Sequence, residues 1–305
     1  MSLETFSYGD HALQTITVAN FHPAPPLHNA DAGGSLGAGV ETGYWVILIH
    51  GGAWRDPAQT SISYLMPALD ILRSSSSSSL PITHLASISY RLSAHPSHPQ
   101  DPSTEPSTSL RAAKHPDHLA DVQSALSFLQ TKYKFGSKYV LVGHSCGATL
   151  AFQGVMSRLS PQQTELKAPI AILGMAGIYD LRLLRDSHRD ISAYQDFIEG
   201  AFGSDETLWD SVSPAIVTGK EGVEGWASGR VVVLAHSEED GLCDLAQSLR
   251  MKETLGAWEK GGEEKRAVHF LPTRGEHDEA WEEGEELARG IVFTVGKLRE
   301  MGVSP

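Results

Sequence analysis

Residues 138–159 read KYVLVGHSCGATLAFQGVMSRL. The first seven form a short, largely apolar run ending in glycine and histidine, the pattern of a strand buried on both faces of a parallel sheet. A helical pattern begins at Cys146 with no gap. Ser145 therefore falls on a sharp strand-to-helix turn, between Gly143 and Gly147 in a G-x-S-x-G spacing. In a chain with 29 glycines the spacing alone says little. The setting says more. A tight turn strains the serine backbone and lifts its hydroxyl above the sheet edge. Side chains at 143 and 147 would collide with the neighbouring strand and helix, and free N–H groups at the helix start face any anion that develops there.

Strand and helix patterns alternate outward from this turn. Strands are expected at 44–50, 82–90, 138–144, 169–177, 229–237 and 266–272, and helices at 62–73, 115–133, 146–159, 244–258 and 282–298. Pro67 is expected in the first turns of its helix. Such alternation predicts an α/β fold: a mostly parallel sheet with helices on both faces, in one domain over 1–305. The stretch 178–228 lacks strand pattern and reads as a small helical cap inserted over one end of the sheet. The serine tract at 73–80 and the Pro/Ser/Thr-rich stretch at 93–109 read as surface loops.

A nucleophile elbow of this kind belongs to the α/β hydrolases, and a second element agrees. HGGAWRDP, residues 50–57, directly follows the first strong strand. Loops of this type supply N–H groups to an oxyanion. The expected donors are Gly52, Ala53 and Cys146, with Gly51 as the turn residue and His50 fixing the loop. A serine nucleophile needs a base, and the base needs an orienting acid. Four histidines follow Ser145: His188, His236, His269 and His277. Only His277 falls in a loop between the last strand and last helix, the expected place for the base. Asp240 follows the fifth strand by a few loop residues and is the expected acid; Glu238, Glu239 and Asp244 compete nearby.

Composition narrows the function classes. The 305 residues are 41% hydrophobic and 20% charged, with net charge −13. The acidic balance disfavours nucleic acid and anionic membranes as partners. No apolar run approaches membrane-span length, the first residues lack a signal-peptide pattern, and two cysteines make no disulfide framework. A cytoplasmic enzyme without cofactor, acting on a small molecule, is the expectation, and a homodimer is compatible with it. Cys146 borders Ser145, which raises sensitivity to thiol reagents as a further expectation. A metal hydrolase is a weaker reading: His95, His98 and Asp101 have ligand-like spacing but are broken by proline, and His115 with His118 lacks a third ligand. A receptor of the same fold without catalysis is weaker still, since the base is present.

The motifs resemble those of the fungal kynurenine formamidases, or arylformamidases, of the α/β-hydrolase superfamily. The resemblance is carried by HGGAWRDP, YRLSAHP (90–96), AKHPDHLADV (113–122), VGHSCGA (142–148), GIYDL (177–181), AHSEEDGL (235–242) and EHDEAWEE (276–283). It spans residues 44–283. It implies hydrolysis of N-formyl-L-kynurenine to L-kynurenine and formate, in tryptophan breakdown and NAD biosynthesis, with Ser145, Asp240 and His277 as triad. Trp54 is then a candidate to close the acyl side, and Tyr90, Tyr179 and Trp281 are candidates to stack on the aryl ring. The serine tract has no counterpart in the resemblance. A general carboxylesterase of the hormone-sensitive-lipase-like type uses the same machinery and is the alternative.

Overall fold

The apolar runs assemble into one eight-stranded sheet. In the computed structural model of the chain the described residues are 3–21, 43–74, 80–159 and 165–305; residues 75–79 of the serine tract lie outside them. The strands are β1 (Leu3–Ser7), β2 (Thr15–Asn20), β3 (Tyr44–Ile49), β4 (Ile82–Ile88), β5 (Tyr139–His144), β6 (Ala171–Met175), β7 (Val231–Ser237) and β8 (Ala267–Thr273). Their spatial order is β1-β2-β4-β3-β5-β6-β7-β8. From β4 to β8 every pairing is parallel, while β1 and β2 join antiparallel at one edge. The six parallel strands match the sequence reading. The edge hairpin β1–β2 was not expected there, because two strands of five and six residues carry too little pattern to separate from loop.

Period-two alternation divides the core into two layers. Trp45, Ile47 and Ile49 of β3 face one cluster, packed with Leu119, Val122 and Leu126 of α2 (Asp117–Tyr133), with α3 (Cys146–Gln153), and with Met251 and Leu255 of α7 (Leu245–Lys260). Tyr44, Val46 and Leu48 face the other, packed with Tyr64, Leu65 and Leu69 of α1 (Ser61–Ser74) and with Leu287, Ile291 and Val295 of α9 (Glu285–Glu300). Pro67 lies at the seventh residue of α1, in its second turn. Two boundaries differ from those expected. The helix after Ser145 stops at Gln153 rather than 159. The closing helix is split into α8 (Glu279–Glu282) and α9, because Gly284 takes a left-handed φ of 79°. Between β6 and β7 the chain forms α4 (Leu181–Ser187), α5 (Ser192–Phe202) and α6 (Glu206–Val212), with no strand.

The YRLSAHP and AKHPDHLADV stretches meet in one ion pair. The Asp121 carboxylate, almost fully buried in α2, accepts from Arg91 Nη2 at 2.7 Å, from the Arg91 backbone N–H at 2.9 Å and from Gln14 Nε2 at 2.8 Å. This fixes the end of β4 and the start of the 93–113 loop against α2. Removing one partner of a buried pair strands the other charge. Arg91→Ala should therefore cost about 3 kcal/mol of stability, the low end for such pairs because Arg91 is partly exposed. Urea unfolding checks this, and a change below about 0.5 kcal/mol would remove the pair from the account.

Candidate active site

The candidate residues converge at the carboxyl ends of the parallel strands, where ligands bind in open α/β sheets. Ser145 follows β5, His50–Trp54 follow β3, Asp240 follows β7 and His277 follows β8. Ser145 has φ 53° and ψ −123°, a left-handed backbone that L-residues rarely adopt. Its N–H donates to Met175 O at 3.0 Å, and its carbonyl accepts from Ala148 N–H at 3.0 Å. The two glycines of the motif are dictated by contact. A Cβ on Gly147 would stand 2.2 Å from Ile49 O, and one on Gly143 would stand 2.3 Å from Gly147 O.

His277 Nδ1 and Asp240 Oδ2 are 2.8 Å apart and both residues are buried. Burial pushes the Asp240 carboxyl up, but hydrogen bonds from His236, His277 and the Cys243 backbone outweigh it and hold the carboxyl well below the usual range. The carboxyl is thus an anion that only accepts. His277 Nδ1 must donate to it, which leaves Nε2 with the lone pair. Oδ1 of Asp240 accepts from the N–H groups of Leu242 at 2.9 Å and Cys243 at 2.8 Å. His236, a rival base in the sequence, instead braces the acid. Its Nε2 donates to Cys243 O at 2.7 Å and lies 3.4 Å from Asp240 Oδ2. His188 stacks on Tyr194, with ring centroids 4.0 Å apart, and His269 packs edge-on to Phe293.

The loop after β3 runs through three consecutive left-handed residues, Gly52 (φ 90°), Ala53 (φ 48°) and Trp54 (φ 59°). A buried layer beneath it holds this strained turn. Tyr90 Oη reaches His50 O at 3.1 Å and Gly51 O at 3.2 Å, and its ring stacks on His50 at 4.5 Å. The Trp54 N–H donates to Cys146 Sγ at 3.3 Å, and the Ala53 N–H converges on the same thiol. Burial lowers the His50 pKa to about 4, so that ring is neutral.

Ser145, His277, Gly52 and Ala53 line one cavity of about 410 Å³. Its far wall is apolar: Ile178, Leu184, Ile191, Tyr194, Phe197 and Leu242. Ser145 Oγ and His277 Nε2 have no hydrogen-bond partner among the described residues, so both groups remain available to a ligand. The four aromatics expected to touch substrate are elsewhere, and this corrects the sequence reading. Trp54, Tyr90 and Tyr179 are fully buried and Trp281 nearly so. Trp54 packs on Phe197 and Phe202, Tyr179 on Phe152, and Trp281 on Tyr64. None of the four lines the cavity. Tyr194 and Phe197 of α5 do, and sequence reasoning missed them; the signal available was the amphipathic SAYQDFIEGAF segment inside the strandless insertion.

Among the described residues one trio, His144, His277 and Asp278, brings potential metal-ligating atoms within 4.8 Å of one another. His144 Nε2 donates to His277 O at 3.0 Å, while His277 Nδ1 is committed to Asp240. Two of the ring nitrogens are thus spent on the fold. Of the pair at 115 and 118, His118 Nε2 bonds Ser93 Oγ at 3.1 Å and His115 stacks on Phe202.

Cys146 is fully enclosed, and burial pushes its thiol up to about 11. Cys243 is also buried and its thiol is raised well above the usual value. The expected sensitivity to thiol reagents is therefore reversed. Iodoacetamide at neutral pH should leave activity intact, with neither cysteine alkylated by peptide mass spectrometry until the protein is unfolded. Rapid inactivation with a Cys146 adduct would contradict the enclosure.

No family model matches the chain. Among curated proteins it is 43% identical to a kynurenine formamidase-like hydrolase of Fusarium equiseti, over 86% of either chain. It is 34% identical to a kynurenine formamidase of Aspergillus versicolor over 80% of this chain and 86% of that one. Solved structures agree on the fold. An esterase B of Lactobacillus rhamnosis superposes with TM-score 0.65 at 17% identity, covering 99% of this chain and 85% of that one. The carboxylesterase Cest-2923 of Lactobacillus plantarum gives 0.63 at 15% identity, covering 100% and 99%. The chain has the α/β-hydrolase fold and belongs to the kynurenine formamidase family.

Proposed function

We propose that the protein hydrolyses N-formyl-L-kynurenine to L-kynurenine and formate, with Ser145 as nucleophile, His277 as general base and acid, and Asp240 as the orienting carboxylate. One observation carries this reading: the elbow serine and His277, backed by Asp240, open on one cavity beside the left-handed 52–54 loop. The names of the relatives supply the substrate. The apolar wall of Tyr194, Phe197 and Leu242 suits an aryl ring. The segment 178–228 then acts as a cap whose α5 forms that wall.

Each step follows from the residues. His277 Nε2 takes the Ser145 proton as Oγ bonds to the formyl carbon, and the carbonyl oxygen becomes an oxyanion. The proposed donors to it are the N–H groups of Gly52, Ala53 and Cys146, at the loop and at the helix start beside Ser145; those of Ala53 and Cys146 also lie at the Cys146 thiol. The protonated His277 passes its proton to the aryl nitrogen, the C–N bond breaks, and L-kynurenine leaves. Water, giving a proton to His277, attacks the formyl ester on Ser145. Collapse releases formate and returns the proton to Oγ.

Release of L-kynurenine is the assay. Ser145→Ala should abolish it to background. Asp240→Asn should lower kcat by roughly 10⁴-fold, because an amide no longer fixes the donor tautomer of Nδ1. Activity that survives Ser145→Ala would remove the triad. A short-chain aryl ester tests the alternative: ester turnover without formamide turnover would make the protein a carboxylesterase.

A further inference from the structure

The arginines of the described residues that are not exposed are each held by a carboxylate or a carbonyl, with one exception. Arg91 is paired with Asp121, Arg182 and Arg185 with Glu206, and Arg230 with Glu264. Arg73, Arg111 and Arg266 donate to the carbonyls of Asn20, His98 and Trp258. The exception is Arg55. Its backbone N–H is tied to Gly52 O at 2.9 Å, which fixes where the side chain starts. Its guanidinium makes no hydrogen bond or ion pair with any described residue. It lies 5.6 Å from the centre of the Phe197 ring, a cation–π position. Asp196 attracts it from a distance, and partial burial lowers its pKa.

The location of this group is as informative as its lack of a partner. Arg55 and His95 line the catalytic cavity, and both also line a second cavity of about 500 Å³. His98 and Arg111 face that second space, with Asp196 as its one acid. In a chain of net charge −13 this is a cationic pocket. It adjoins the space where the acyl group reacts. It is walled by the 93–111 loop, which the Arg91–Asp121 pair anchors.

We infer that Arg55 binds the carboxylate of the substrate's amino-acid side chain, in a subsite between the catalytic cavity and the loop at 93–111. This rests on the formamidase reading above and extends it from aryl formamides in general to those carrying an α-amino acid. With the formyl group at Ser145 and the ring along Tyr194 and Phe197, the side chain ortho to the formamide is directed to the rim where Arg55 opens. A guanidinium meets a carboxylate with two parallel N–H donors, and one already free of partners need break no internal bond to do so. Arg55 is thus a specificity-determining residue, acting on binding and not on the reacting atoms.

The test compares two substrates on three proteins: wild type, Arg55→Gln and Arg55→Lys. The substrates are N-formyl-L-kynurenine and its decarboxylated analogue, which keeps the same aryl formamide. Wild type should prefer the carboxylate by about ten- to a hundredfold in kcat/KM. Arg55→Gln should erase most of that preference by raising KM for N-formyl-L-kynurenine, and Arg55→Lys should recover part of it. Equal wild-type kcat/KM on both substrates would overturn the subsite alone. So would equal losses on both in Arg55→Gln, which would reveal a loop effect. Turnover of neither formamide by wild type would sink the formamidase reading itself, and the subsite with it.

Discussion

Two turns touch in this protein at a distance only glycine permits. The Cα of Gly147 lies against the carbonyls of Ile49 and His50, and the Cα of Gly51 lies against Ser145 and the His144 ring. The turn that lifts Ser145 and the turn at 50–54 are therefore one packed unit, joined where β3 and β5 pair. Left-handed residues at 53, 54 and 145 cost of order 1–3 kcal/mol each and persist only where the surroundings over-determine them. Here the surroundings are the buried layer of His50, Tyr90 and Cys146. Cys146 has a part in both turns: its backbone starts the helix behind Ser145, and its sulfur receives N–H groups of the loop opposite.

Electrostatics are sorted by depth around that unit. Burial keeps His50, His118 and His144 neutral, joined at His144 by the neighbouring His277. Asp240 is the opposite case, an enclosed carboxylate kept ionised by donors on both oxygens. A group depressed in this way stabilises the fold above its unfolded pKa and loses that contribution as pH falls through the folded one. The anion is thus present throughout the neutral range, where it fixes the His277 tautomer. The cationic groups gather further out, at Arg55 and Arg111.

The sequence carried the parallel sheet and the strand–turn–helix at Ser145, and it singled out Asp240 and His277, which the fold brings together, because each leaves a local mark. A strand ending in glycine before a helix is visible in seven or eight letters, and a histidine between the last strand and last helix has few competitors. The pocket wall left no such mark. Trp54, Tyr90, Tyr179 and Trp281 stand beside motif residues in the chain, yet their rings point into the core, where large aromatic surfaces are buried. The residues that reach the cavity, Tyr194 and Phe197, come from a helix some fifty positions past the nucleophile. Long-range packing places them, and periodicity within the segment cannot say which space a face will meet. The edge strands β1 and β2 were missed because they are short, and because β2 joins the sheet through β4, far along the chain.

The central claim is that Ser145 is made nucleophilic by His277 and Asp240. Labelling with an aryl fluorophosphonate tests it most directly, because the reagent reacts with an activated serine whatever the natural substrate. The account predicts one adduct per chain, on the peptide carrying Ser145. It also predicts that the second-order labelling rate falls about a thousandfold or more in His277→Gln. An adduct on another residue, or labelling of Ser145 at an undiminished rate without the imidazole, would contradict it.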